Sequence, residues 1–93
     1  MIIEIDVKQH HIDEGIMKDT ARCPIALAID EKFGYEVGIR TTVDQELVVI
    51  NMNSYTYQCD FDEWHDAYEF IVDFDDGKTV DPTTLTFDME ILQ

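Results

Sequence analysis

Basic residues are scarce in this sequence: six Lys and Arg stand against 21 Asp and Glu, and the formal net charge is −15. So strong a negative charge repels the phosphates of nucleic acids and the anionic headgroups of membranes, so we expect direct contact with neither. It attracts basic surfaces instead, at a rate that falls as salt is added. A simpler interpretation is that the acidity serves solubility alone.

Long apolar runs are absent and cysteine is rare. No stretch approaches the ~20 apolar residues of a membrane-spanning helix, and the start Met-Ile-Ile-Glu-Ile-Asp does not resemble a signal peptide. Cys23 and Cys59 could pair, but in a chain without an export signal we expect reduced thiols. These absences predict a cytoplasmic protein.

The residues that are present indicate a packed core, since 45% are hydrophobic and 11% aromatic. The length of 93 residues suits a single domain, residues 1–93. Hydrophobic periodicity and turn residues predict the order strand, short helix, helix, three strands, helix, strand. The predicted ranges are 2–7, 8–15, 23–34, 35–43, 46–52, 55–59, 60–77 and 84–91. We therefore predict an α+β fold, with two helices packed on one face of a mainly antiparallel sheet.

Turn and cap residues support these boundaries. Gly15 ends the short helix, Pro24 and Gly34 bracket the next helix, and Gly77 ends the last one. Asp44-Gln45 is short enough for a hairpin, and residues 51–54 have turn chemistry. Asp60 and Glu63 make a start like a capping box for the helix over 60–77.

That last helix carries an acidic stripe. At 100° per residue, five carboxylates fall within about 80° of one another and span about 21 Å. They are Asp62, Asp66, Glu69, Asp73 and Asp76, with Glu63 and Asp75 flanking. No Lys or Arg lies between residues 60 and 77, and each like-charge pair costs about 0.2–0.5 kcal/mol. The aromatic residues of the helix, Trp64, Tyr68, Phe70 and Phe74, are expected in the core, whereas Tyr55 and Tyr57 on one strand face could form an exposed patch.

Three motifs together resemble those of a group of small, functionally uncharacterised proteins of tailed phages and prophages. They are His11-Ile12-Asp13-Glu14-Gly15 (H-I-x-x-G), Cys23-Pro24-Ile25-Ala26-Leu27-Ala28 (C-P-[IV]-A-L-A), and residues 70–77 with Val80-Asp81-Pro82 (F-I-x-x-F-D-x-G, then V-x-P). The resemblance implies a phage protein that acts in a bacterial cytoplasm. It assigns no catalytic residue, and the acidic stripe lies outside the shared pattern.

Candidate catalytic and metal-binding residues are few. Cys23 at a helix start could pair with a histidine as a nucleophile, but nothing in the sequence places a histidine beside it, and a buried cap residue is the simpler interpretation. His10 and His11 are adjacent, and neighbouring side chains rarely reach one ion; the sequence has no C-x-x-C or H-x-x-x-H spacing. We therefore predict no enzyme activity, no metal and no cofactor.

The composition and the stripe predict a protein that binds and inhibits a host nucleic-acid-binding protein by presenting carboxylates in place of phosphates. A defence nuclease, a CRISPR effector and RNA polymerase are the expected classes of basic partner. Asp62, Glu63, Asp66, Glu69, Asp73, Asp75 and Asp76 are the expected contacts. One alternative is a non-catalytic assembly module, such as a homodimer joined by a sheet edge. Another is a protein that sequesters a small ligand.

Overall fold

Helices and antiparallel strands alternate along the chain, in a computed structural model that describes residues 1–35, 38–52, 54–62 and 64–92. Over these residues three helices and six strands form an α+β fold, which confirms the predicted class. In chain order the elements are β1 (Ile2–Val7), α1 (Gln9–Glu14), α2 (Pro24–Lys32), β2 (Arg40–Val43), β3 (Leu47–Asn51), β4 (Thr56–Asp60), α3 (Asp66–Asp75), β5 (Thr83–Asp88) and β6 (Glu90–Leu92). None of the described helices has the length and apolar character needed to cross a membrane.

Strand β1 shows how alternation sets one face of a sheet. Ile3, Ile5 and Val7 are buried, and the residues between them face solvent. The strand pairs antiparallel with β5, where Ile3 lies opposite Phe87. The inward side chains of this two-stranded sheet therefore contribute directly to the core.

The second sheet of the described chain has the order β2-β3-β4-β6, and all its pairings are antiparallel. The predicted hairpin joins β2 to β3: the Asp44 carboxylate accepts the amide hydrogens of Glu46 and Leu47 at 2.7 and 2.9 Å. Strand β2 begins at Arg40, later than predicted, because Tyr35 and Gly38 adopt left-handed backbone angles that end extended structure. Glu36, Val37 and the turn residue Asn53 lie outside the described residues.

The predicted last strand is divided at Met89. Residues before it pair with β1 and residues after it pair with β4, so one segment belongs to both sheets. Met89 is buried, and its amide donates to the carbonyl oxygen of Met1 at 2.7 Å. The expected single sheet is therefore two sheets that share a bent strand.

Helix α2 lies under both sheets, as expected of its nearly continuous apolar run. The Sγ atom of Cys23 accepts the amide hydrogen of Ala26 at the helix start, and Pro24 occupies the first turn. Gly34, just beyond the last turn, has φ = 72°, the left-handed conformation that ends many helices. The buried side chains of helix α2 are those of Pro24, Ile25, Ala26, Ala28 and Ile29.

Candidate functional site: an acidic groove beside helix α3

Helix α3 begins later than the sequence predicted. Asp60 is the last residue of β4 and pairs with Leu47, and Glu63 lies outside the described residues. The helix is capped instead by His65, whose Nδ1 atom accepts the amide hydrogen of Ala67 at 3.0 Å. The His65 ring also stacks on Phe87, with centroids 5.6 Å apart. The predicted start at Asp60 is wrong because strand pairing and this anchored ring decide where the helix begins.

The helix separates an apolar side from an acidic side. Ala67, Phe70, Ile71 and Phe74 are buried against the core. Asp66 and Glu69 are exposed, and Asp73 is partly exposed on the opposite side. These three residues belong to the predicted stripe, and their spacing of three and four residues places them along one line.

These carboxylates line a groove together with a fourth from outside the helix. The groove has a volume of about 320 Å³ and lies between α3 and the segment that leads into β5. Asp66, Glu69, Asp73 and Asp81 supply its charge, and we call this set the acidic groove. Its apolar lining comes from Phe70, Val80 and Leu85. The sequence pattern predicts only a loop at Asp81-Pro82, because no local signal shows that the chain after α3 returns along the helix toward Asp66.

The self-repulsion expected of the stripe is partly offset. Asp66 and Glu69 lie in the first turn of α3, where the positive end of the helix dipole favours carboxylates. At the other end, the Nζ atom of Lys78 lies 3.7 Å from Oδ1 of Asp73. Both effects act at exposed sites and contribute at most about 1 kcal/mol each. The helix therefore tolerates its charges without a large cost.

The other predicted contact residues lie apart from this line. Asp62 precedes the helix and accepts the Trp64 amide hydrogen at 3.0 Å, while Asp76 follows the last turn. Asp75 accepts the Lys18 amide hydrogen at 2.8 Å and lines a different pocket, beside Cys23. The helical part of the stripe therefore spans about 10 Å instead of 21 Å, at 1.5 Å per residue.

The aromatic residues of the predicted helix over 60–77 are expected in the core, but Trp64 lies outside it. Its side chain is 85% exposed, the highest value among the large apolar side chains that the structure describes. Because α3 starts at Asp66, Trp64 lies in the preceding turn and not on the inner face of the helix. Phe70 and Phe74 are buried as predicted, whereas Tyr68 is only partly buried. Tyr57 packs against the core, and Tyr55 is 52% exposed.

Cys23 has the environment of a structural thiol. It is buried at the base of a pocket of about 450 Å³, and none of the described residues that line this pocket is a histidine. Burial raises the pKa of the Cys23 thiol from 9.0 to about 11, although the Ala26 amide acts in the opposite direction. Because the thiolate is the nucleophile, this arrangement does not support a nucleophilic role at neutral pH.

His10 and His11 converge on one carboxylate, contrary to the expectation that adjacent side chains diverge. The Nε2 atom of His10 lies 2.9 Å from Oε2 of Glu31, and Nε2 of the buried His11 contacts the same oxygen. Hydrogen bonds from His10 and His11 lower the pKa of Glu31. One nitrogen or oxygen from each of the three side chains lies within 4.8 Å of the others, a spacing that a metal ion could bridge.

The hydrogen bond at the second ring nitrogen of His11 argues against metal binding by this cluster. The Nδ1 atom of His11 accepts the amide hydrogen of Lys8 at 2.9 Å, so the neutral ring carries its own hydrogen on Nε2. That hydrogen is donated to Glu31, and Nε2 then has no lone pair for a metal. The cluster of His10, His11 and Glu31 therefore acts as a hydrogen-bonded junction between α1 and α2.

No protein-family model, curated protein or solved structure matches this chain. The resemblance to a tailed-phage group therefore stays a prediction. Residues of its motifs have structural roles in the fold: His11 accepts the Lys8 amide hydrogen at the start of α1, and Cys23 caps α2. Asp66 and Glu69 of the acidic groove lie outside the motifs, and Asp73 and Asp81 occupy variable positions within them.

Proposed function

We propose that this protein binds a basic nucleic-acid-binding protein through the acidic groove and so excludes that partner's nucleic acid. The observation that carries the proposal is the convergence of Asp66, Glu69, Asp73 and Asp81 on one concave surface. A net charge of −15 adds long-range attraction toward a basic partner.

The lining of the groove suits the long cationic side chains of such a partner. Lys and Arg combine an apolar stem with a charged head, and they bury the stem while the head stays polar. Phe70, Val80 and Leu85 offer an apolar floor for the stem, and the four carboxylates offer acceptors for the head.

The charge spacing also supports mimicry of a nucleic-acid backbone. Asp66, Glu69 and Asp73 rise about 5 Å per charge along α3, which is comparable in scale with the ~3.4 Å axial spacing of one DNA strand. The shortened stripe corresponds to about three phosphates, so the groove would cover only a small part of a DNA-binding surface. In this proposal the protein acts in a bacterial cytoplasm on a defence nuclease, a CRISPR effector or RNA polymerase.

A matched pair of variants tests the proposal. Asp66→Asn, Glu69→Gln and Asp73→Asn remove three charges from the acidic groove. Glu4→Gln, Glu14→Gln and Glu90→Gln remove three exposed charges elsewhere. Binding to purified members of the three partner classes is measured by biolayer interferometry at low and high salt, with displacement of labelled duplex DNA as the second readout.

We expect one partner class to bind in a salt-sensitive way and to release its DNA. The groove variant should weaken that binding by about tenfold or more, because several charged contacts are lost together. The control variant should change it far less. Equal weakening by both variants would reduce the effect to net charge and refute a role for the groove.

A homodimer is the second candidate, and it rests on the exposed edge strand β6. Ile91 and Leu92 on this strand are 55% and 40% exposed. The net charge opposes such self-association, so the dimer should strengthen as salt screens the repulsion. Sedimentation velocity at two salt concentrations checks this, with Ile91→Lys expected to abolish any dimer.

A further inference from the structure

Trp64 has an exposed apolar side chain just before α3, and hydrogen bonds connect its amide and that of His65 to Asp62. Its amide donates to Oδ1 of Asp62 at 3.0 Å, and the next amide, that of His65, donates to the carbonyl oxygen of Asp62 at 3.1 Å. The His65 side chain then caps α3 and packs on Phe61 and Phe87. The amides of Trp64 and His65 are therefore both hydrogen-bonded to Asp62, and His65 is anchored to the core.

The exposure of Trp64 is exceptional within the described part of the chain. At 85% it exceeds the other exposed aromatic residues, Tyr35 at 66% and Tyr55 at 52%. Tryptophan has the largest apolar surface of any side chain, and it is enriched among the residues that dominate binding energy at interfaces. A tryptophan side chain has only two torsion angles, so ordering it on binding costs little conformational entropy for the area it contributes.

The surroundings of Trp64 specify the chemistry of what it would contact. Asp62 and Asp66 flank it two residues away on either side, and both are exposed. Residues 60–77 contain no Lys or Arg, so the turn has no nearby cation of its own in sequence. An indole face bordered by carboxylates attracts a cation that is also flat and apolar on its faces, and guanidinium fits this description better than ammonium.

We propose that Trp64 is the anchor of the partner interface and stacks on an arginine side chain of the basic partner, with Asp62 and Asp66 accepting its hydrogen bonds. This inference rests on the proposed function, because it adds Trp64, two residues before Asp66, to the contact surface that the acidic groove provides. It adds a preference for arginine over lysine, which the groove alone does not require.

The experiment uses two defined probes, an oligoarginine and an oligolysine peptide of equal length. Each carries a fluorophore, and its affinity for the full chain is measured by anisotropy at low salt. Trp64 is the single tryptophan of the chain, so its intrinsic emission reports whether the indole itself is covered. The variants are Trp64→Ala and Trp64→Phe, with Tyr35→Ala and Tyr55→Ala as matched exposed-aromatic controls.

We expect oligoarginine to bind more tightly than oligolysine and to shift the tryptophan emission to shorter wavelength. Trp64→Ala should weaken oligoarginine binding by about tenfold and largely remove the difference between the peptides. Trp64→Phe should recover part of the loss, because it retains an aromatic face. The two tyrosine variants should bind as the parent does, and the far-ultraviolet circular dichroism of all variants should be unchanged.

Two outcomes separate this inference from the proposed function. If Trp64→Ala binds oligoarginine as tightly as the parent, or weakens both peptides equally, the stacking proposal is refuted. The triple variant of Asp66, Glu69 and Asp73, measured in the same assay, reports on the groove independently. If that variant binds both peptides unchanged, the groove fails, whatever Trp64 does.

Discussion

The buried imidazole of His11 donates its Nε2 hydrogen to the carboxylate of Glu31 and so ties α1 to α2. His11 is only 2% exposed, so its Nε2 hydrogen depends on Glu31 for an acceptor in the folded protein. Glu31→Ala should therefore lower the free energy of unfolding by about 1–3 kcal/mol, the cost of an unsatisfied buried donor. Lys32→Ala, an exposed change in the same helix, is the control and should cost much less. Urea denaturation measures both, and equal losses would contradict the junction.

The same carboxylate predicts a dependence of stability on acid. Hydrogen bonds from His10 and His11 lower the pKa of Glu31 in the folded protein below its ordinary value of 4.5. Below that value the unfolded chain binds the proton first, so acid favours unfolding. The stability contribution of Glu31 is thus complete above pH 4.5 and is lost as the pH falls through the folded pKa. Denaturation of the parent and Glu31→Gln at several pH values should show their difference narrowing in this window; a constant difference would contradict it.

Cys23 should make the stability of the protein fall as the pH rises in the alkaline range, whereas Glu31 makes it fall as the pH drops. The folded pKa of Cys23, about 11, lies above the ordinary 9.0, so above pH 9.0 the unfolded thiol ionises first and the protein loses stability. The loss should approach about 2–3 kcal/mol near pH 11, at 1.36 kcal/mol per unit. In a Cys59→Ser background, Cys23→Ala should remove this alkaline decline. A thiol reagent should label Cys23 slowly in the folded protein and rapidly in denaturant, and equal rates would contradict the burial.

The cap of α3 predicts the effect of replacing His65. Both His65→Asn and His65→Ala lose the ring that stacks on Phe87, but only Asn retains an acceptor for the Ala67 amide hydrogen. The Asn variant should therefore be more stable than the Ala variant by about 1 kcal/mol. Thermal unfolding of the pair measures the difference. Equal stability would show that the ring contact, and not the cap, is what His65 contributes.

Replacing Gly15 with a larger residue should cause a steric clash but no backbone strain. Its φ of −66° suits any residue, but an added Cβ would lie 2.7 Å from Cγ and Cδ of Pro24. Gly15→Ala should cost about 1–3 kcal/mol through overpacking between α1 and α2. Gly34→Ala is the converse control, since its left-handed φ of 72° is strained but nothing lies within 4 Å of the new atom. Its cost should be about 1 kcal/mol. Denaturant unfolding measures both variants, and a cost for Gly15→Ala no larger than that for Gly34→Ala would contradict the overpacking.

Local patterns predicted most of the elements. Local signals predicted β1 and α2 well. Strand β1 follows from the alternation of apolar and polar residues over Ile2–Val7, and α2 follows from Pro24 at its start and Gly34 after its end. The start of α3 was wrong because Asp60 pairs with Leu47 on a neighbouring strand, a contact that no local rule contains. The prediction that Trp64 lies in the core is wrong for the same reason, since it depends on a helix that begins too early.

The candidate site likewise has some features that local sequence predicts and others that depend on contacts between separate elements. The large negative charge and the helical spacing of Asp66, Glu69 and Asp73 follow from the amino-acid order alone, because they depend only on composition and on the period of a helix. Three further relationships depend on the folded chain: Asp81 joins these carboxylates, Asp75 lies elsewhere, and both His10 and His11 reach Glu31. Those relationships join residues from separate elements, and the packing of the core, not local conformational preference, brings such residues together.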